Sequence, residues 1–340
     1  MRFSRFVLTA AAAGLAAWTA AAAQQESTAE PETKAEEPRL SDVERAVDEI
    51  LEEAQPGETA TEADPAEETP APVAEPVAPP PAEPAQPEPQ APAGPPPPLT
   101  REQAAQLDSA VARGRLLIAV AQAGLISTQD MLSRVADPEA AGIAGWIAEP
   151  AGNAMAVTYY AQGEDGPAAV YRASVLGGRV TSRELFLTGT RPPLTRLQAR
   201  MAAARAATEG VEQRACSDRP FNVFVVPPAS ADAPIDVYRF TAQNQRGRFP
   251  LGGHFKSTVE ADGGVSATRG FTNGCLDLEA DEVPAGQQPR PIAVTHLLDP
   301  LPTEIHVFMA LWTGRPLIVA AGDPQRLWLV TGERIAEIRP

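Results

Sequence analysis

Hydrophobic and polar positions fall into a sustained series of helical and then strand-like periods after residue 99. Thr100-Arg101-Glu102-Gln103 carries capping-box grammar, and Leu107, Val111 and Leu116 extend an apolar face to about residue 123. A second short helix is predicted near 129–135. The period then shortens toward two. Residues 154–161, 168–176 and 184–188 are short runs rich in Val, Tyr, Phe and Leu, separated by Glu164-Asp165-Gly166 and Gly177-Gly178. That pattern predicts a three-stranded antiparallel meander. A helix is predicted from about 193 to 214, with Leu194, Leu197 and Met201 on one side. Its Arg196, Arg200 and Arg205 read as a solvated face, with carboxylate binding as the alternative.

Further along, residues 221–226, 237–241, 249–260, 264–271, 292–298, 304–311, 317–321 and 327–338 read as strands. Glu260-Ala261-Asp262-Gly263-Gly264 is a hairpin signal between two of them. With no helix expected between these runs, a βαβ parallel sheet is excluded. The fold class expected is α+β, with helices and an antiparallel meander in a first half over 99–215 and a mainly antiparallel β second half over 216–340.

Residues before 99 carry no such series of elements. Arg2 and Arg5 precede an apolar run over 6–23 that ends in Ala21-Ala22-Ala23, the layout of a cleavable signal peptide at 1–23. Cleavage leaves no stable membrane span and places the chain in a bacterial periplasm or outside the cell. Residues 24–98 read as a disordered, acidic, Pro/Ala-rich spacer. One amphipathic helix is predicted inside it near 41–54, with Ser41 and Glu44 as its capping box and Val43, Val47, Ile50, Leu51 and Ala54 on one face. From 56 to 98 there are 16 prolines and no aromatic residue, so no apolar surface is available to bury. Extended as polyproline II, that stretch reaches about 130 Å.

The formal net charge of the 340 residues is −16. Residues 24–99 hold 19 acids against Lys34, Arg39 and Arg45, so the charge belongs to the spacer and the folded part is close to neutral. Without a basic field, nucleic acid is not an expected partner.

Candidate chemistry is concentrated between residues 252 and 306. That window holds all three histidines, one of the two cysteines and one of the two lysines. In an exported chain the even pair Cys216 and Cys275 is expected to form a disulfide. A second possibility is a metal site. If Glu304 and His306 lie on a strand they share one face, and with His254 and His296 they supply three nitrogens and a carboxylate. No G-x-S-x-G elbow, Walker loop, G-x-G-x-x-G turn or zinc-type cysteine pairs are present, so no cofactor is expected.

His254 is followed after 17 residues by Thr272-Asn273-Gly274-Cys275-Leu276. This resembles the motif of exported L,D-transpeptidases, a His followed by [Ser/Thr]-His-Gly-Cys and an apolar residue. The resemblance implies Cys275 as the acyl-accepting thiolate, His254 as its activating base and Gly274 in the oxyanion-side turn. Asn273 stands where that motif has its second histidine, and Asp277 where an arginine is usual. It covers about 25 residues.

The leading expectation is an exported, non-catalytic binding or envelope-associated module. Its partner would be an envelope protein or the cell wall, engaged through the 41–54 helix or the β half. A cell-wall-directed thiol enzyme and a histidine-based metal-binding domain are the alternatives.

Overall fold

The computed structural model describes residues 97–280, 283 and 287–339. The expected signal peptide, the expected 41–54 helix and all but the last two residues of the expected spacer lie outside them.

Helix α1 (Arg101–Leu132) starts at Thr100, whose Oγ1 accepts from the Gln103 N–H while the Gln103 amide oxygen accepts from the Thr100 N–H. It runs unbroken into the region expected to hold a second short helix and ends there at Leu132, so the two expected helices are one. By length and composition α1 could cross a bilayer, but here it is the helix on which the sheets pack, with Leu117, Val120 and Met131 fully buried. At Gly114 a Cβ would come within 2.5 Å of the Val307 Cβ, so the missing side chain is what lets a later helix lie against α1.

A four-stranded antiparallel meander follows, β1 (Ile143–Ala151), β2 (Ala154–Gly163), β3 (Gly166–Leu176) and β4 (Arg179–Leu185), in that order in the sheet. It has one strand more than expected. In β1, Gly145 and Pro150 interrupt the alternation, and Pro150 is tolerated because β1 is an edge strand. Helix α2 (Arg196–Ala207) is shorter at both ends than expected, starting at the capping box of Thr195 and Gln198.

The second half builds three sheets. β5 (Asn222–Val226), β6 (Ile235–Phe240), β8 (Phe255–Val259) and β9 (Val265–Gly270) form an antiparallel sheet in the order β5-β6-β8-β9. The expected hairpin joins β8 to β9, closed by the Glu260 N–H on the Gly264 carbonyl. β7 (Arg248–Pro250) and β10 (Asp277–Glu279) make a two-stranded ribbon.

β11 (Ile292–His296), β12 (Leu317–Ala321), β13 (Arg326–Val330) and β14 (Ile335–Ile338) form the last sheet. Here two expectations fail. Residues Glu304–Thr313 are helix α3, not a strand, and β11 pairs with β12 in parallel across it. The βαβ unit read as excluded is therefore present. Its residues EIHVFMALWT are apolar nearly all round, and a short apolar run looks alike as buried helix or buried strand. Helix α3 ends at Gly314 in the left-handed region, φ 67°.

The architecture is α+β, with a strand-rich second half. The two halves share one core: α1 and β2–β3 contribute to the same buried cluster as Phe224, Tyr238, Phe308 and Trp328.

Candidate functional site

Strand β8 begins just after His254, and this histidine is a core residue. It is 1 % exposed, its ring 4.6 Å from that of Phe240. Nδ1 accepts from the Thr241 N–H at 3.2 Å, so the proton sits on Nε2, which donates to the Pro250 carbonyl at 2.7 Å. Burial pushes this imidazole down to about 4, against a smaller opposing effect of the Pro250 carbonyl.

Cys216 and Cys275 form a disulfide, with Cα atoms 5.4 Å apart. Its surroundings explain Gly252-Gly253. A Cβ on Gly252 would meet the Gly274 carbonyl oxygen at 2.3 Å, and one on Gly253 would meet Cys216 Sγ at 2.8 Å. Thr241 Oγ1 ties the two sides together, accepting from the Cys216 N–H and donating to the Gly253 carbonyl. The transpeptidase-like assignment meets two obstacles here. In the bonded state Cys275 carries no thiol, and both His254 nitrogens are occupied by backbone groups. A disulfide is compatible with an extracellular or periplasmic location.

The four residues of the possible metal shell are not gathered. Glu304 and His306 lie on α3, where residues two apart do not face each other. His254 is committed as above. Glu304 Oε1 accepts from the Tyr238 hydroxyl at 2.9 Å and lies 3.9 Å from Lys256 Nζ. Only His296 and His306 meet, ring edge to ring face at 4.6 Å. Among the described residues no group of three or more His, Cys, Asp or Glu side chains is placed to hold a metal.

What the fold assembles instead is a polar seam between the β8–β9 hairpin and the β11–α3 connection. Asp299 is its centre. His296 Nε2 is 2.8 Å from Asp299 Oδ2, and Arg269 on β9 grips both carboxylate oxygens at 2.9 and 2.6 Å. Burial works against the Asp299 charge, but the hydrogen bonds from His296 and Arg269 outweigh it and hold the carboxyl well below its usual range. The Arg269 guanidinium also lies over the Phe271 ring, which stacks on Tyr238. His306 supplies the other end of the seam. Its Nδ1 accepts from the Thr303 N–H, the role a Glu or Gln takes in an ordinary capping box. Burial, and secondly the neighbouring His296, push it down to about 3.

The residues between His296 and Asp299 emerge from this clamp. Leu297 is 79 % exposed and Leu298 41 % exposed. Beside them, β9 is the last strand of its sheet, and Val265, Ser266, Ala267 and Thr268 on it are exposed. Arg269, Asp299, Tyr238 and the two leucines were not singled out from the sequence. The signal available was His296-Leu297-Leu298-Asp299-Pro300, an apolar pair bracketed by polar groups and a turn residue. Compared with protein-family models, curated proteins and solved structures, the chain matches none.

Proposed function

We propose that the protein is an exported, non-catalytic binding module that works at the bacterial envelope, and that the Leu297-Leu298 turn beside β9 is its recognition surface. The export reading rests on the signal-like pattern over 1–23 and on a disulfide suited to the periplasm. The acidic spacer gives the domain reach toward a partner.

The observation that carries the recognition reading is the rigid support under an exposed apolar pair. An isolated exposed leucine needs no explanation. Two in succession, held outward by a bidentate Arg269–Asp299 pair and by His296 at 3 % side-chain exposure, form a pre-ordered contact. A partner meeting it has little ordering cost to overcome. The adjacent open edge of β9 adds main-chain donors and acceptors, which an extended protein segment can join as a further strand. The partner that fits is an envelope protein presenting an extended, apolar segment.

A photo-crosslinking amino acid placed at position 297 in the living bacterium tests this. A discrete adduct with an envelope protein is expected from 297 and none from the exposed Ala203 on α2. Adducts of equal yield at both positions, or none at 297, would overturn the proposal.

A further inference from the structure

Asn273-Gly274 is the one Asn-Gly pair in the chain, whose other asparagines are Asn153, Asn222 and Asn244. It lies in the turn between β9 and β10, immediately before the bridged Cys275. Asn273 and Gly274 are both exposed. The structure gives Gly274 none of the usual reasons to be glycine. A Cβ there would meet no heavy atom within 4 Å, and its φ lies outside the left-handed region. Gly252 and Gly253, on the other side of the bridge, are forced by close approach, but Gly274 is not.

The polar groups of the pair are equally uncommitted. Among the described residues the Gly274 N–H donates to no acceptor, and the Asn273 side-chain amide has no hydrogen-bond partner. The turn is held instead by Thr272 Oγ1, which donates to the Gly274 carbonyl at 2.9 Å. Solvent therefore reaches the one backbone nitrogen that stands next to the Asn273 side chain.

We propose that Asn273 is a modification site, where the chain converts its own amide to a carboxylate through attack by the Gly274 backbone nitrogen. That nitrogen loses its proton to solvent base and adds to the Asn273 Cγ. A C–N bond forms, and the side-chain NH2 takes up a proton and leaves as ammonia. The resulting succinimide ring contains only atoms of residues 273 and 274, so no other group has to be brought to it. Water then opens the ring at either carbonyl, leaving an aspartyl or an isoaspartyl residue at 273. One water is consumed and one ammonia released, with no change of oxidation state. Glycine after the asparagine lets the backbone swing into this ring at the least steric cost. Asn153 and Asn244 are also exposed, but Ala154 and Gln245 follow them with a Cβ in the way, and Asn222 lies in β5. The conversion puts a new negative charge just beyond the end of β9. An isoaspartyl link also lengthens the main chain between Phe271, which is buried, and Cys275, which the bridge holds. The site is independent of the leucine turn, and either can fail without the other.

Incubation of the folded full chain at mildly alkaline pH, followed by peptide mass mapping, is the test. Position 273 is expected to gain the mass that separates an acid from an amide, in two chromatographically distinct products, and faster as the pH rises. Asn153 and Asn244 are expected to stay unchanged over the same period. Gly274→Ala is expected to leave the melting temperature nearly unchanged, because the position has room for a Cβ. The same variant is expected to slow the conversion about ten-fold or more, since that Cβ obstructs ring closure. Conversion at 273 no faster than at Asn153 and Asn244 would overturn the proposal. So would an equal rate in Gly274→Ala, or conversion confined to urea-unfolded protein, in which case the fold holds the turn shut against ring formation.

Discussion

Lowering the pH from about 7 to about 4.5 is expected to remove roughly 4–5 kcal/mol of the folding free energy, because two histidines must stay neutral in the folded state. His254 and His306 ionise in the unfolded chain near 6.5, but burial pushes them down to about 4 and about 3 in the fold. A group with a depressed folded value of this kind binds its proton first in the unfolded state. Stability is therefore full above about 6.5 and falls as the pH drops below it. The carboxyls held low by hydrogen bonds, Asp299 and Asp130, act in a lower window. Their contribution is present above the ordinary aspartate value of 3.8 and is lost only as the pH falls below it. The loss between about 6.5 and 4.5 therefore reports the histidines. Urea unfolding at several pH values measures it. His306→Gln keeps an N3 residue able to accept from the Thr303 N–H and cannot titrate, so it is expected to flatten the pH dependence by about half. A stability that stays level across this window would contradict the neutral, buried state of both rings.

Cys216→Ser and Cys275→Ser are each expected to lower the unfolding free energy by about 4 kcal/mol, since the bridge spans 59 residues and restrains the unfolded chain. The double mutant is expected to cost little more than either single, because both remove the same bond. Chemical unfolding of the three variants in parallel checks this. A silent Cys216→Ser beside a damaging Cys275→Ser would show that Cys275 acts alone.

Much of this fold was legible where one local rule dominates. The Thr100 capping box marks α1, the spacing of Leu194, Leu197 and Met201 marks α2, alternation marks β2 and β3, and Asp262-Gly263-Gly264 marks the β8–β9 hairpin. Legibility ended where the local signal was ambiguous. Glu304–Thr313 is apolar nearly all round, and its N3 position holds His306 in place of Glu or Gln, so neither period nor cap announced a helix. That one misreading also put Glu304 and His306 on one strand face and created the possible metal shell. The seam was hidden for a different reason. Tyr238 is 66 positions from Glu304 and Arg269 is 30 from Asp299, and only the folding of β6, β9 and the β11–α3 connection brings them together. The disulfide was legible because an even pair of cysteines, in a chain whose first residues read as an export signal, argues for it.

The reactivity of Cys275 in the native, non-reduced protein is the most direct test of whether this window is scaffold or chemistry. Treatment with iodoacetamide followed by intact-mass measurement is expected to leave the protein unmodified, because the only two cysteines are bonded to each other. A single alkylation on Cys275 in the folded protein would contradict it. The sulfur would then be a free, ionised nucleophile, and the thiol-enzyme reading would take the place of the binding module.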